Sequence, residues 1–170
     1  IISASLAYRT PVAADIPTAG IVGVTKEIIA AARARGRSIR LMMLSQRRGE
    51  RYAAGIAPVL LSSDEIAANV RDNLNYGRIT GDVVGALSII GQGAGGRPTA
   101  DAVIQDLISL GRGEAGLPVL DRSLTYDPGL LRGTGHFPDE VLPGRPLAEL
   151  IEIAPQKQSF LAFEPQATEL

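Results

Sequence analysis

The chain has 170 residues, 45% of them hydrophobic and 21% charged, with a net charge of −1, which places it among globular domains with their own core and excludes disordered and fibrous classes. With no cysteine and a single histidine, His136, neither a disulfide framework nor a Cys- or His-rich metal site is available, so no metal is expected. No apolar run approaches the roughly 20 residues of a membrane span and no signal-like segment opens the chain, so a cytoplasmic protein is expected, with no membrane partner.

Charge is unevenly spread: Lys and Arg outnumber Asp and Glu by 9 to 3 in residues 1–60, and are outnumbered 9 to 4 from residue 113 onward. The arginines between Arg33 and Arg51 lack interleaved aromatic residues, and no nucleic-acid partner is expected. IISASLAY carries helical apolar spacing from its first residue with no cap ahead of it, so the chain is expected to begin part-way through a helix. Residues 11–23 read as a loop, after which Thr25 caps a helix with Ile28, Ile29 and Ala32 on one face, ended by Gly36. SIRLMMLSQ (38–46) and RYAAGIAPVLL (51–61) flank the polar Arg47-Arg48-Gly49-Glu50 as an antiparallel hairpin. Ser62 and Glu65 make a capping-box pair for a short helix, DEIA, followed by strands 69–79 and 82–90 joined at Thr80-Gly81.

IIGQGAGGRPTADAVIQDLI (89–108) then concentrates glycines ahead of a helix that runs from Pro98 or Thr99 through Ser109, with Val103, Ile104, Leu107 and Ile108 on its apolar side. From residue 113 the chain holds seven of its eleven prolines, turns acidic and loses clear periodicity apart from LAELIEIA and SFLAF. The expected fold is α+β: a mixed, mainly antiparallel sheet of about four strands with helices packed on one face. Strands such as LMMLS and ALSII are apolar on both sides, so a second copy or another domain is expected to bury one face.

In this order, ASLAY (4–8), GIVGVT (20–25), SIRLM (38–42), ANVRDNLNY (68–76) and GQGAGGRPTADAV (91–103) resemble the C-terminal part of homoserine dehydrogenases. That family shows ASLAF, GI-x-G-I-T, an IKLL-type strand, ANV-x-x-x-F-N-A and G-x-G-A-G-x-x-P-T-A-S-A-V. The resemblance covers residues 1 to about 112 and divides the chain into a partial catalytic and dimerisation domain (1–112) and a Pro-rich acidic tail of unassigned role (113–170). It implies an enzyme interconverting L-homoserine and L-aspartate 4-semialdehyde with NAD or NADP, in threonine and methionine biosynthesis, assembled as a homodimer through the sheet.

The resemblance also implies that the nucleotide lies on an upstream Rossmann domain and that the catalytic lysine falls about two residues before Ile1. Lys26 and Lys157 do not match it, so no catalytic residue is expected in this chain, which is expected to be inactive alone. Gly95, with Gly93 and Ala94 beside it, matches the place where backbone approaches the nicotinamide end of the cofactor, and Thr99 lies at the following helix start. A side chain at such a glycine would push the ring away. Ile28, where the family has an acid, and Asp101, where it has a small residue, depart from the pattern. The tail does not match an ACT domain. His136, in GTGHFPD, reads as a loop residue without a visible partner.

Two other readings compete. Gly91, Gly93 and Gly96 also satisfy G-x-G-x-x-G, with Asp121 after LPVL as the ribose acid, which requires strand 82–90 to run parallel to a strand near 118 and fails if it pairs antiparallel with 69–79. Alternatively the chain is a non-catalytic dimerisation or ligand-binding module. No Gly-Lys-Ser/Thr follows the glycines, so a P-loop is not supported.

Overall fold

A computed structural model describes residues 2–12, 15–114, 120–137, 140–155 and 162–166. In chain order the elements are α1 (Ile2–Tyr8), α2 (Lys26–Ala34), β1 (Arg37–Arg48), β2 (Arg51–Ser62), α3 (Ile66–Asn69), β3 (Leu74–Gly81), β4 (Gly85–Gln92), α4 (Gly96–Gly111), β5 (Thr125–Tyr126), β6 (Arg132–His136), β7 (Val141–Pro146), α5 (Leu147–Ile153) and β8 (Ala162–Pro165). They fall into two compact units, Ile1–Ser63 with Leu120–Leu170, and Asp64–Val119.

The first unit is built on the β1–β2 hairpin, paired from Arg37↔Ser62 to Arg48↔Arg51. Two residues, Gly49 and Glu50, close it, and Gly49 takes φ +58 at the first central position, where a two-residue hairpin turn favours glycine. The sheet order is β1-β2-β8-β6-β7, with β5 also on β2. The β2–β5 and β2–β8 pairings are parallel; β6 pairs antiparallel with both β7 and β8.

The α+β class and the mainly antiparallel sheet agree with the sequence reading, but the sheet's membership differs. It has six strands rather than four, and β3–β4 form a separate two-stranded sheet. The compact units divide the chain after Ser63 and after Val119. The reason is β2, whose second edge needs partners along its length: β5 meets Arg51 and Tyr52, Thr18 bridges Ile56, and β8 meets Val59. Main-chain groups at the centre of a sheet must be paired, and the tail supplies most of the strands that do so.

Helices cover both faces of this sheet rather than one. Tyr52 and Ala54 join Ala4, Val12 and Ile16 in a buried cluster, and Tyr8 at the end of α1 donates to the Ser45 hydroxyl at 2.9 Å, on the face that Ala54 shares. The next residue along, Gly55, faces α5: a β-carbon there would lie 2.7 Å from Leu147 Cδ2. Since side chains alternate along a strand, a β2 that is buried from Tyr52 to Gly55 and again from Ala57 to Val59 requires cover on both sides. Strand β6, RGTGH, uses its glycines in the same way. Phe163 lies over Gly133 and Leu150 over Gly135, and both large side chains are fully buried.

Thr25 caps α2 as expected, its hydroxyl accepting from the Ile28 N–H. The short helix after β2 is displaced by two residues from DEIA, to Ile66–Asn69 with Glu65 as its N-cap, so the Ser62–Glu65 capping box does not define its start. No helix of the described residues is long and apolar enough to cross a membrane.

Candidate functional site

The glycine-rich turn belongs to the second unit, which consists of α3, the β3–β4 hairpin and α4. Strand β3 begins at Leu74 rather than at 69, because Asp72 takes φ +57 and the Leu74 N–H turns back to the Arg71 carbonyl at 3.1 Å. The hairpin turn lies at Asp82–Val84 rather than at Thr80-Gly81, closed by Gly81↔Gly85 with Gly85 at φ +69. Strands β3 and β4 pair antiparallel from Leu74↔Gln92 to Gly81↔Gly85. This removes the literal dinucleotide-fold reading, which needed 82–90 to run parallel to a later strand; residues 117–119 of that later strand lie outside the described set. Asp121, its ribose acid, is instead ion-paired with Arg9.

Beyond Gln92 the chain turns directly into α4. Gly95 is the N-cap with φ +113 and ψ +152, a region open to glycine and strained for any other residue. The Thr99 hydroxyl and N–H both reach the Gly95 carbonyl, at 2.9 and 3.1 Å, which locks the first turn. The helix therefore starts at Gly96, two residues before Pro98. Gly96 and Arg97 place their N–H groups in the first turn, where helix geometry supplies no acceptor, and Pro98 has no N–H to offer. Gly91 and Gly96 have no atom within 4 Å of where a β-carbon would stand, whereas at Gly93 that β-carbon would lie 1.7 Å from Asn75 Nδ2. Gly93 is thus required by its own neighbour, and Gly95 by its backbone angles.

The structure thereby brings Gly93, Ala94, Gly95 and Thr99 together in one exposed turn at the head of α4. Two residues of the ANVRDNLNY segment that have no role in the sequence reading hold it: Asn73, whose carbonyl accepts from Gly93 N–H at 2.9 Å and whose amide donates to the Ala94 carbonyl at 3.0 Å, and Asn75, which fills the space beside Gly93. The available signal was the antiparallel register, which places the two residues around Leu74 opposite the first glycines once Leu74 is set against Gln92.

Most of the large apolar residues of this unit are exposed. All of β4 is exposed, Ile79, Leu87 and Ile89 being 56 to 58% accessible on one face of the hairpin, and Val103, Ile104, Leu107 and Ile108 of α4 are exposed as well. In the first unit, Leu41 on the edge strand β1 is half exposed.

His136 is a strand residue with a partner, not a loop residue without one. It ends β6, and its Nε2 lies 2.9 Å from Glu164 Oε2, while Arg37 bonds the other carboxylate oxygen. Burial pushes the Glu164 carboxyl up, but the bonds from Arg37 and His136 outweigh it and hold the group below the ordinary glutamate range. The arrangement ties β8 to β6 and to β1 and leaves no open coordination or nucleophilic geometry. Among the described residues, no group of three His, Cys, Asp or Glu side chains converges to hold a metal ion.

A family model described as homoserine dehydrogenase matches residues 1–108, a span that takes in α1, the hairpins and the glycine turn with most of α4. The chain belongs to the homoserine dehydrogenase family. It is 34% identical over 112 residues to a homoserine dehydrogenase of Pseudomonas aeruginosa and 35% identical over 117 residues to one of Mycobacterium leprae, each comparison covering 65% of this chain. The chain spans about a quarter of the length of these curated relatives, 26% in each case. A crystal structure of S. aureus homoserine dehydrogenase at pH 6.5 is 25% identical with a TM-score of 0.61, over 81% of this chain and 34% of that one. The homoserine dehydrogenase of Thiobacillus denitrificans, at 19% identity and a TM-score of 0.71, shares the fold over 96% of this chain and 51% of its own. That fold likeness extends well past residue 112, into the segment that completes the sheet.

Proposed function

We propose that this chain is the part of a homoserine dehydrogenase that carries the sheet and the return to the nucleotide-binding region, and that the whole enzyme interconverts L-homoserine and L-aspartate 4-semialdehyde with NAD or NADP. The single observation that carries the reading is the family match running unbroken through a glycine turn whose Gly95 geometry only glycine tolerates. The turn fits the end of a nicotinamide cofactor: it has no side chain at Gly95 or Gly96 to hold a flat ring off, and it offers main-chain N–H groups at the head of a 16-residue helix. When bound, the cofactor supplies hydride transfer. Gly93, Ala94, Gly95 and Thr99 contribute position and a fixed set of main-chain dipoles. A homodimer formed through the sheet, in the cytoplasm, is part of the same reading; the exposed Leu41 on β1 supports the sheet contact, while Leu87 and Ile89 give the separate β3–β4 hairpin an exposed apolar face of its own.

The test joins this chain to the N-terminal region of the Pseudomonas aeruginosa enzyme, ending that region where the alignment reaches Ile1. Homoserine-dependent reduction of NAD(P) is expected from the fusion and not from the 170-residue chain alone. A folded fusion that turns nothing over, or steady turnover by the chain alone, refutes the reading.

A further inference from the structure

We propose that Asn73 is a positioning residue that orients the glycine turn to receive a primary carboxamide, with the Gln92 carbonyl as acceptor and the Gly95 N–H as donor. This rests on the reading of the turn as a nicotinamide contact. Asn73 grips two peptide groups at once, since its carbonyl takes the Gly93 N–H at 2.9 Å and its side-chain amide reaches the Ala94 carbonyl at 3.0 Å. No peptide among the described residues is cis. In a trans peptide the C=O and N–H point in opposite directions. The Gly93 N–H faces Asn73, so the Gln92 C=O of the same peptide faces away. The Ala94 C=O faces Asn73, so the Gly95 N–H faces away.

The outer side of the turn thereby carries one acceptor and one donor, the complement of a carboxamide's NH2 and C=O. A carboxylate lacks the donor, and so does a methyl ketone. The clamp matters because of what lies beside it. The Ala94–Gly95 peptide turns about Ala94 ψ and Gly95 φ, and at its glycine end backbone rotation meets little steric resistance. Turned over, it would present the Ala94 carbonyl to the ligand's own carbonyl oxygen. The Asn73 amide, a donor aimed at Ala94, opposes that rotation from across the turn. An aspartate there would offer an acceptor to an acceptor and favour the reversed peptide.

The experiment follows the amide signals of Gly95 and Gly96 in the nitrogen-15-labelled 170-residue chain during titration with nicotinamide, nicotinic acid and 3-acetylpyridine. In the wild-type chain, nicotinamide should shift Gly95 with an affinity roughly five- to tenfold above that of 3-acetylpyridine, the factor expected for one hydrogen bond. Asn73→Ala and Asn73→Asp keep the main-chain carbonyl that fixes the Gln92 acceptor, so that preference should persist while both ligands weaken about five- to tenfold through the lost Gly95 N–H, whereas a collapse of the turn would erase the preference as well. Equal affinities in the wild-type chain, undiminished affinity for both ligands in both variants, or a preference lost in both, overturns the role of Asn73 and leaves the cofactor reading standing. If none of the three ligands moves Gly95 in the wild-type chain, the cofactor reading fails and this proposal with it. The wild-type ligand comparison needs no variant to fold.

Discussion

The packing of α5 on β6 can be tested through one contact. Leu150 is fully buried, and its Cδ2 and Cδ1 lie only 2.5 and 3.0 Å from where a β-carbon on Gly135 would stand. Gly135→Ala forces that flexible side chain aside, an overpacking cost of about 1 to 3 kcal/mol partly offset by the lower backbone entropy of alanine. Leu150→Ala leaves a cavity, at about 3 to 4 kcal/mol for a leucine with no exposed surface. The two changes share one volume, so in the double variant the new methyl occupies space that Leu150 has vacated. The pair should therefore cost about 2 kcal/mol less than the sum of the singles, a coupling well beyond the roughly 0.5 kcal/mol scatter of independent sites. Urea unfolding followed by circular dichroism, at unchanged m, measures all four corners of the cycle. Additive values, or a neutral Gly135→Ala, would refute the argument that glycine stands in β6 to admit α5.

Gly95→Ala should destabilise the glycine turn by about 1 to 3 kcal/mol, because its φ of +113 lies where a β-carbon is strained; amide exchange at Gly93 and Thr99 reads this out, and unchanged protection would contradict it. Thr25→Ala should cost about 1 kcal/mol through the lost cap of α2, visible in the unfolding midpoint, while Thr25→Ser should retain most of it. Glu164→Gln removes a carboxylate whose folded pKa is depressed. The stability from that depression is whole above the unfolded glutamate pKa of about 4.3 and is lost as pH falls below it through the lower folded value. The carboxyl is part-exposed, so solvent screening limits the loss to about 1 kcal/mol. Unfolding measured at neutral and at acid pH should show a shallower pH dependence in the variant, and an identical slope would count against the Arg37–Glu164–His136 arrangement.

Local features were legible in the residues themselves. Thr25 capping α2, Gly49 turning the β1–β2 hairpin and the glycines leading into a helix all depend on a few adjacent residues, whose side-chain oxygens and missing β-carbons act within one turn of chain. The family likeness was legible for the same reason, since it rests on short strings in a given order. The membership of the sheet was not. Residues 120–170 show weak periodicity because β5 and β8 are only two and four residues long and are specified by what they pair with. His136 found its partner in Glu164, 28 residues on, and Asn73 reached Ala94 across a hairpin. Pairings of that kind are set by which edges and glycine gaps are left to fill once β2 is placed. The sequence alone therefore determined the elements near each signal and the kinship of the chain. Only the tertiary structure decided that its acidic end completes the sheet and that two asparagines hold the turn, because those contacts join residues that no local pattern relates.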